Sequence, residues 1–328
     1  MLDIKLVKKN TEKVKKGLEA KKVDTTLVDK LIETYDDWTD KLEANDKLSQ
    51  KKNEIAREGK YSEVGKKVKE DSIKSEQKVH EAKKEYDKIA YQLPNLPLDN
   101  VPKGPPENFR ILKDKVGNFP KFDFSTKNHL ELGESLDIID TKTAAKVSGS
   151  RFAYLKNQAV NLEFALVQFA FEKLSKEGFN IMIPPVLIKP EITRGLGYWD
   201  GKTSDGITSN ENYYMVYDPN SDRDRKEDHL YLTGTGEHSL VPMHSNEILD
   251  FKNLPIKYAA FSTCFRREAG SYGKDTKGIL RVHQFDKIEM VEFVKPEDDE
   301  RERRKMLSIV EELMQSLGLT YRVVMLST

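Results

Sequence analysis

Two runs of apolar residues at three- and four-residue spacing lie between Thr26 and Leu93. Val28, Leu31, Tyr35, Trp38 and Leu42 make the first, and Val79, Ala82, Tyr86, Ile89 and Leu93 the second. Gly59 and Lys60 interrupt them. This spacing leaves each helix one narrow apolar stripe, which a second helix must cover. Two such runs joined by a short break predict an antiparallel helical hairpin. Pro94 and Pro97 end it, because proline removes an amide donor and disfavours helix in the residue before it. The stripe is thin toward the break. Asn45 and Ser49 stand where the first run would continue, and Val64, Val68 and Ile73 serve the start of the second. The tip, about residues 45–75, is therefore expected to be weakly packed. So long a coil with so little core is expected to project.

The hairpin admits two readings. Charged residues are 34% of the chain and the formal net charge is +0, which fits a spacer or dimerisation coil with solvated faces. The other reading is an arm whose Lys47, Lys51, Lys52, Arg57, Lys60, Lys66, Lys67 and Lys69 meet RNA phosphates. Acids are interleaved with these cations, and zero net charge argues against a strongly basic nucleic-acid binder without excluding local patches. The single cysteine, Cys264, excludes an intrachain disulfide or a multi-cysteine metal site within one chain. No apolar run is long enough to span a bilayer, and the first ten residues hold no signal-peptide core. A cytoplasmic protein is expected.

Residues 1–25 read as a helical lead-in, with Val23, Asp24 and Thr25 as its end and a new cap. After the prolines a stiff linker runs to about residue 108. Beyond it, Phe122 to Phe124 suggest a short strand, residues 129–136 a helix, 143–146 a connection, and 148–152 a strand. Residues 155–176 read as an amphipathic helix with Leu162, Leu166, Phe169 and Leu174 as its buried stripe, closed by Gly178. The β-prone 179–187 carries two prolines, which puts it at an edge or interface. Residues 200–228 are polar, either a lid or a plain insertion loop. Residues 302–317 read as a helix capped by Gly318, and 319–326 as a strand entering the core.

Residues 263–292, TCFRREAGSYGKDTKGILRVHQFDKIEMVE, read as strand, glycine-rich loop and long second strand from Ile279. Its alternation is unusual. Arg281, His283 and Glu289 share a side with Phe285, while Gln284 and Asp286 sit among apolar residues. Unpaired polar groups inside a sheet cost about 1–3 kcal/mol each, so the hairpin is either exposed or lines a site. Arg266, Arg267 and Glu268 at the strand end favour a site. A guanidinium fork grips phosphate in bidentate fashion, and the adjacent glycines let backbone approach a nucleotide.

The continuous run FRREAGSYGKDTKGILRVHQFDKIEM closely resembles motif 2 of seryl-tRNA synthetases, which are class II aminoacyl-tRNA synthetases. The resemblance extends over the whole chain. It implies an α+β protein: an N-terminal antiparallel helical coiled-coil arm with its proline-rich linker (1–107), and an antiparallel β-sheet catalytic domain with flanking helices (108–328). The arm would bind tRNA(Ser), and by family resemblance tRNA(Sec) as well. The helix at 155–176 and following strand correspond to motif 1, which implies a homodimer. The reaction would activate L-serine with ATP, assisted by Mg2+, and pass serine to tRNA. Neither membrane nor DNA is expected as a partner.

Resemblance also carries roles to residues. Arg266 would hold the α-phosphate and the serine carboxylate, Arg267 and Glu268 would complete the ATP triplet, and Val282 would pack near adenine. Thr235, Gly236 and Glu237 stand where the family has Thr-Ala-Glu, a serine-binding triplet, and Glu289 would reach the serine hydroxyl or ammonium. Glycine at 236 departs from that pattern, as do Gly234, where proline is frequent, and His238 and Ser239, where apolar residues are usual. Each carboxylate could instead pair with an arginine across the hairpin. The family's rarer zinc-dependent form uses more than one cysteine, so Cys264 is read as a small buried residue.

Two other classes compete: a synthetase-derived paralogue serving a non-tRNA carrier or acting as a non-catalytic regulator, and a structural coiled-coil protein. The intact arm argues against the carrier version, and the intact motif 2 against the structural protein. Nothing in the chain resembles motif 3, whose arginine grips the γ-phosphate. A synthetase cut short before motif 3 is therefore expected, with an unpaired sheet edge, poor solubility, weak tRNA binding and little serine activation.

Overall fold

The computed structural model describes residues 2–57, 63–196, 213–217, 229–268 and 278–328. Chain contacts divide it into two units, residues 1–113 with 323–328, and residues 114–322.

The first unit holds α1 (Ile4–Lys9), α2 (Thr11–Ala20), α3 (Thr26–Arg57) and α4 (Glu63–Ala90). Asp24 starts α3 by accepting from the Thr26 amide at 2.9 Å and the Thr26 hydroxyl at 2.8 Å, as expected of a helix cap. Val28 and Leu31, near the start of α3, share a buried cluster with Tyr86, Ile89 and Ala90, near the end of α4. The two long helices are therefore antiparallel. Val7, Val14 and Leu18 complete the cluster from α1 and α2. Trp38 stacks on Tyr86 at 5.5 Å, and Lys83 lies over the Trp38 ring at 5.0 Å. Gly17 admits the linker here: a Cβ on it would stand 2.8 Å from Leu96 Cδ2.

Packing thins along the pair as the sequence implied. Leu42 is 37% and Ile73 47% exposed, and Ser72 occupies a fully buried place. The side chain of Val64, and Gly59 and Lys60 altogether, lie outside the described residues. β1 (Arg110–Val116) lies just past the linker, in a stretch to which no element was assigned above.

The second unit continues with α5 (His129–Ser135), β2 (Ile139–Asp140), α6 (Thr141–Ser148), β3 (Tyr154–Leu155), α7 (Gln158–Lys176), β4 (Asn180–Met182), β5 (Leu187–Ile188), α8 (Pro190–Gly195), β6 (Met215–Val216), β7 (Leu230–Leu232), α9 (Glu237–Leu240), β8 (Ile256–Phe265), β9 (Gln284–Phe293) and α10 (Asp299–Ser316). β10 (Tyr321–Met325) ends the order. β4, β8 and β9 form one sheet, in which β8–β9 is antiparallel and β4–β8 parallel. β5, β7 and β6 form a second, antiparallel throughout. Leu174 of α7, Phe179, Ala259 of β8 and Ile309 of α10 make the core between helices and sheet. The fold is α+β with a helical hairpin.

Several local expectations are corrected. Residues 122–124 form no strand, and 143–146 lie inside α6, which Asp140 caps by accepting from the Thr143 amide at 2.8 Å. No strand runs through 148–152, because Gly149 and Arg151 adopt φ of 94° and 61°, outside extended geometry. Of the stripe assigned to α7 only Leu174 is buried. Leu162 is 59% and Leu166 40% exposed, because the core cluster reaches only the last turns of the helix. Residues 319–326 do not enter the core sheet: β10 pairs with β1 in a two-stranded sheet of its own. The second strand of the motif 2 hairpin begins at Gln284 and not at Ile279. The His283 amide donates to the Arg151 carbonyl at 3.0 Å and so leaves the ladder. Gly178 and Gly318 close α7 and α10 with φ of 86° and 67°, as their sequence positions predict.

Candidate active site

The β8–β9 ladder sorts its side chains onto two faces, and this resolves the odd alternation of the hairpin. Ala259 and Phe261 lie opposite Met290 and Ile288, and this face packs on Leu174 and Phe179. Ala260, Ser262 and Cys264 lie opposite Glu289, Lys287 and Phe285 on the other face. The first three are buried. Glu289 and Lys287 belong to this second face, whereas Gln284 and Asp286 continue the first face toward the strand's start, where the Thr263 hydroxyl donates to Asp286 at 2.6 Å. Burial pushes the Cys264 thiol up, with the Ser262 hydrogen bond acting the other way.

The loop after β7 lies directly on that face. The Thr233 carbonyl accepts from the Phe265 amide at 2.7 Å. A Cβ at Gly236 would stand 3.0 Å from Glu289 Cβ and 3.3 Å from Ser262 Oγ. Its φ of −59° is ordinary, so space rather than conformation favours glycine there.

Thr235 sits at the centre. Its hydroxyl donates to Glu289 Oε2 at 2.6 Å and accepts from Lys287 Nζ at 2.6 Å. It also accepts from the Glu237 amide at 3.3 Å, and Lys287 and Glu289 are ion-paired. A hydroxyl has one proton and two lone pairs, and all three are engaged. Glu237 opens α9 and is half-buried.

Arg266 leaves the end of β8 with its backbone held on both sides. Its amide donates to the His283 carbonyl at 2.9 Å, and its carbonyl lies 2.9 Å from His283 Nδ1. Its side-chain Nε donates to the Gly234 carbonyl at 3.0 Å, with the guanidinium carbon 5.2 Å from the centre of the Phe285 ring. The terminal amino groups are the part of the fork that remains to meet an anion. Arg267 is exposed and lies near Tyr214, whose phenol burial pushes up while Arg267 acts the other way. Glu268, at φ 50°, pairs with Arg281 at 2.7 Å, and its carbonyl accepts from Arg151 at 3.4 Å.

Thus the structure brings together Thr235, Gly236 and Glu289, with Glu237 next in the chain and Arg266 reaching the same loop. Val282 lines a separate cavity of about 480 Å³ with Phe152, Val160 and Phe285. Thr235, Arg266 and Glu289 are not among its walls. Glu163 also lines it, and burial followed by the neighbouring Asp286 raises its carboxyl. The loop between Glu268 and Gly278, and most of 200–228, lie outside the described residues.

Three residues were given no role by sequence reasoning. Lys287 could have been found, since it sits on the same strand face as Glu289. His238 and Tyr213 carried no local signal. His238 is 1% exposed, accepts from the Gly234 amide at Nδ1 (3.3 Å), and lies 3.3 Å from the Tyr213 hydroxyl at Nε2. Its pKa falls to about 4, chiefly through burial and then through Lys287 and Arg266, with Glu289 opposing.

In the arm, Lys47, Lys51, Lys52, Arg57, Lys66, Lys67 and Lys69 are all exposed, and Lys47 pairs with Glu43 at 2.7 Å. Lys60 is outside the described residues.

A family profile described as "Seryl-tRNA synthetase N-terminal domain" matches residues 1–97. One described as "tRNA synthetase class II core domain (G, H, P, S and T)" matches residues 214–328. The "Serine--tRNA ligase" of Nitrosopumilus maritimus is 37% identical over 339 residues, covering 100% of the chain and 76% of that protein. That of Rhodococcus opacus is 38% identical over 337 residues, with 99% and 76% covered. The crystal structure of seryl-tRNA synthetase from Pyrococcus horikoshii complexed with ATP superposes with a TM-score of 0.78 at 34% identity, with 99% of this chain and 76% of that one covered.

Proposed function

The chain belongs to the seryl-tRNA synthetase family, and from that premise we propose how its residues divide the work of a serine–tRNA ligase. In the first step a carboxylate oxygen of L-serine bonds to the α-phosphorus of ATP. The bond from that phosphorus to the bridging oxygen breaks, and pyrophosphate leaves with the electron pair. In the second, a terminal hydroxyl of tRNA(Ser) attacks the serine carbonyl and AMP leaves. tRNA(Sec) is proposed as a further acceptor.

Two anions must meet in the first step, so the protein's task is positioning and cationic stabilisation. Arg266 is proposed to hold the α-phosphate and the serine carboxylate through its terminal amino groups, since Nε is committed to Gly234. Arg267 extends the cationic edge. Glu268 is proposed to lie near adenine, held by Arg281, and Val282 to pack beside the base. Glu289 and Glu237 take the serine ammonium and hydroxyl, and Gly236 keeps the loop close to Glu289. Thr235, with its hydroxyl saturated, acts by orienting Glu289.

Mg2+ is proposed as part of the nucleotide substrate. Among the described residues no three His, Cys, Asp or Glu gather to hold a metal, so these residues do not fit a resident ion and no step is derived through one.

The arm is proposed to bind tRNA by Lys51, Lys52, Arg57, Lys66 and Lys67, with Lys47 and Lys60 beside them. A homodimer is proposed through α7 and β4. Leu162 and Phe164 of α7 are 59% and 61% exposed, a costly surface for an uncovered helix. The cytoplasm is the proposed compartment; among the described residues no helix is long and apolar enough to cross a membrane.

The observation that carries the serine assignment is the Thr235–Glu289–Lys287 cluster. Titration of the purified protein with seryl and alanyl sulfamoyl-adenosine tests it, since both mimic the adenylate and differ by one hydroxyl. A site built to pair that hydroxyl rejects the analogue lacking it strongly, so the seryl compound is expected to bind about 100-fold more tightly or better. Equal affinities would overturn the assignment.

A further inference from the structure

We propose that His238 is a positioning residue for the phosphate grip: its imidazole fixes the Gly234 amide, and with it the glycine whose carbonyl, on the next peptide, holds Arg266. The inference rests on the reading of Arg266 given above.

Gly234 is held through both of the peptides that meet at its Cα. Its N–H donates to His238 Nδ1 at 3.3 Å, and its C=O accepts from Arg266 Nε at 3.0 Å. Nδ1 can accept only as an unprotonated nitrogen, so in the neutral ring the proton sits on Nε2 and points at the Tyr213 hydroxyl, 3.3 Å away. Tyr213 is itself packed edge-on against Tyr231 of β7 at 6.2 Å. The ring thereby ties the turn to the strand that precedes it.

Burial and charge support the neutral ring. Lys287 and Arg266 are the cations acting on the ring and Glu289 the anion. Two cations against one carboxylate, in a place 1% exposed, disfavour an imidazolium. A neutral ring is what the acceptor role needs.

The turn lies in ordinary contact range of both neighbours. A Cβ at Gly234 would stand 3.4 Å from the Phe265 carbonyl and 3.7 Å from His238 Cε1. The turn is held between β8 and the ring. Without an acceptor, the Gly234 N–H would be a buried unpaired donor or its peptide would turn; the glycine's φ and ψ, which link that peptide to the next, would no longer be fixed, and the carbonyl that aims Arg266 would lose its direction.

The test uses the full chain and ATP as probe. His238→Val removes the acceptor, and His238→Asn returns one, since its Oδ1 stands near the place of Nδ1. ATP affinity is expected to fall about tenfold or more in His238→Val and to stay within about threefold of normal in His238→Asn, a hydrogen-bond-sized effect. Arg266→Ala is measured beside them. If Arg266→Ala loses ATP affinity and His238→Val does not, this inference is wrong and the Arg266 reading stands. If neither variant loses affinity, both fall. Should His238→Val fail to fold, nitrogen-15 spectra of the unaltered protein decide. An Nε2–H tautomer at neutral pH supports the proposal, whereas an Nδ1–H or doubly protonated ring overturns it.

Discussion

The Thr235 hydroxyl donates to Glu289 at 2.6 Å across 54 residues of sequence, and that bond joins the loop after β7 to the centre of β9. Thr235→Val keeps shape but removes the bond. Glu289 and Lys287 would remain paired while Glu289 loses its aim. Serine affinity is expected to drop about tenfold, as for one lost hydrogen bond to a charged group. ATP affinity should be unchanged. Separate titrations with serine and ATP check this, and an equal loss of both would show that the loop has moved as a whole.

Arg266→Lys and Arg266→Ala should behave alike. Lysine keeps the charge but offers no Nε to hold the Gly234 carbonyl beside a terminal fork. Both variants are expected to lose about 100-fold or more in serine-dependent ATP–pyrophosphate exchange or in adenylate-analogue affinity, the size seen when a preorganised charge donor is removed. Thermal unfolding should be nearly unmoved, because the residue is exposed. A lysine variant with normal affinity would mean that charge alone suffices.

His238 makes stability depend on pH. Its folded pKa of about 4 lies below the 6.5 of an ordinary histidine. The unfolded chain therefore binds the proton first, and stability is lost as pH falls from about 6.5 toward about 4. At pH 5 the loss is about 2 kcal/mol. Urea unfolding at pH 7.5 and pH 5 should show this difference in the unaltered protein and not in His238→Asn. Equal losses would place the proton elsewhere.

For the arm, tRNA(Ser) affinity should fall steeply as salt rises, because each neutralised phosphate releases a counterion. Reversing Lys51, Lys52 and Arg57 to glutamate should weaken binding and flatten the salt slope by about two to three. The seryl-adenylate analogue should bind as before. A slope indifferent to these changes would remove them from the interface.

The helical hairpin was legible because its signal is periodic and local: Val28 and Leu31 cluster with Tyr86 and Ile89 as the spacing implied. The site was legible only through motif resemblance, and there only in part. Glu289 and Arg266 announced themselves, whereas His238 looked like a mere departure from pattern. Its meaning depends on Tyr213 and the Gly234 amide, which no spacing rule connects to it. The errors share a cause. The His283 amide donates to Arg151 while its carbonyl still accepts from Arg266, so Ile279 to His283 could not be read as non-strand from alternation alone. Arg151 itself sits at positive φ, which no β-propensity foresees for arginine. β1 was passed over because its partner, β10, lies at the far end of the chain.

The stack of Trp38 on Tyr86 sits at the root of the hairpin, and the apolar seam weakens beyond it. From Trp38 to the end of α3 at Arg57 the helix runs about 28 Å, at about 1.5 Å per residue. A tilt of about 10° at the root would swing the end by about 5 Å over that length. The hairpin is in this sense a cantilever, stiff where the aromatic rings clamp it and compliant where serine and asparagine replace them.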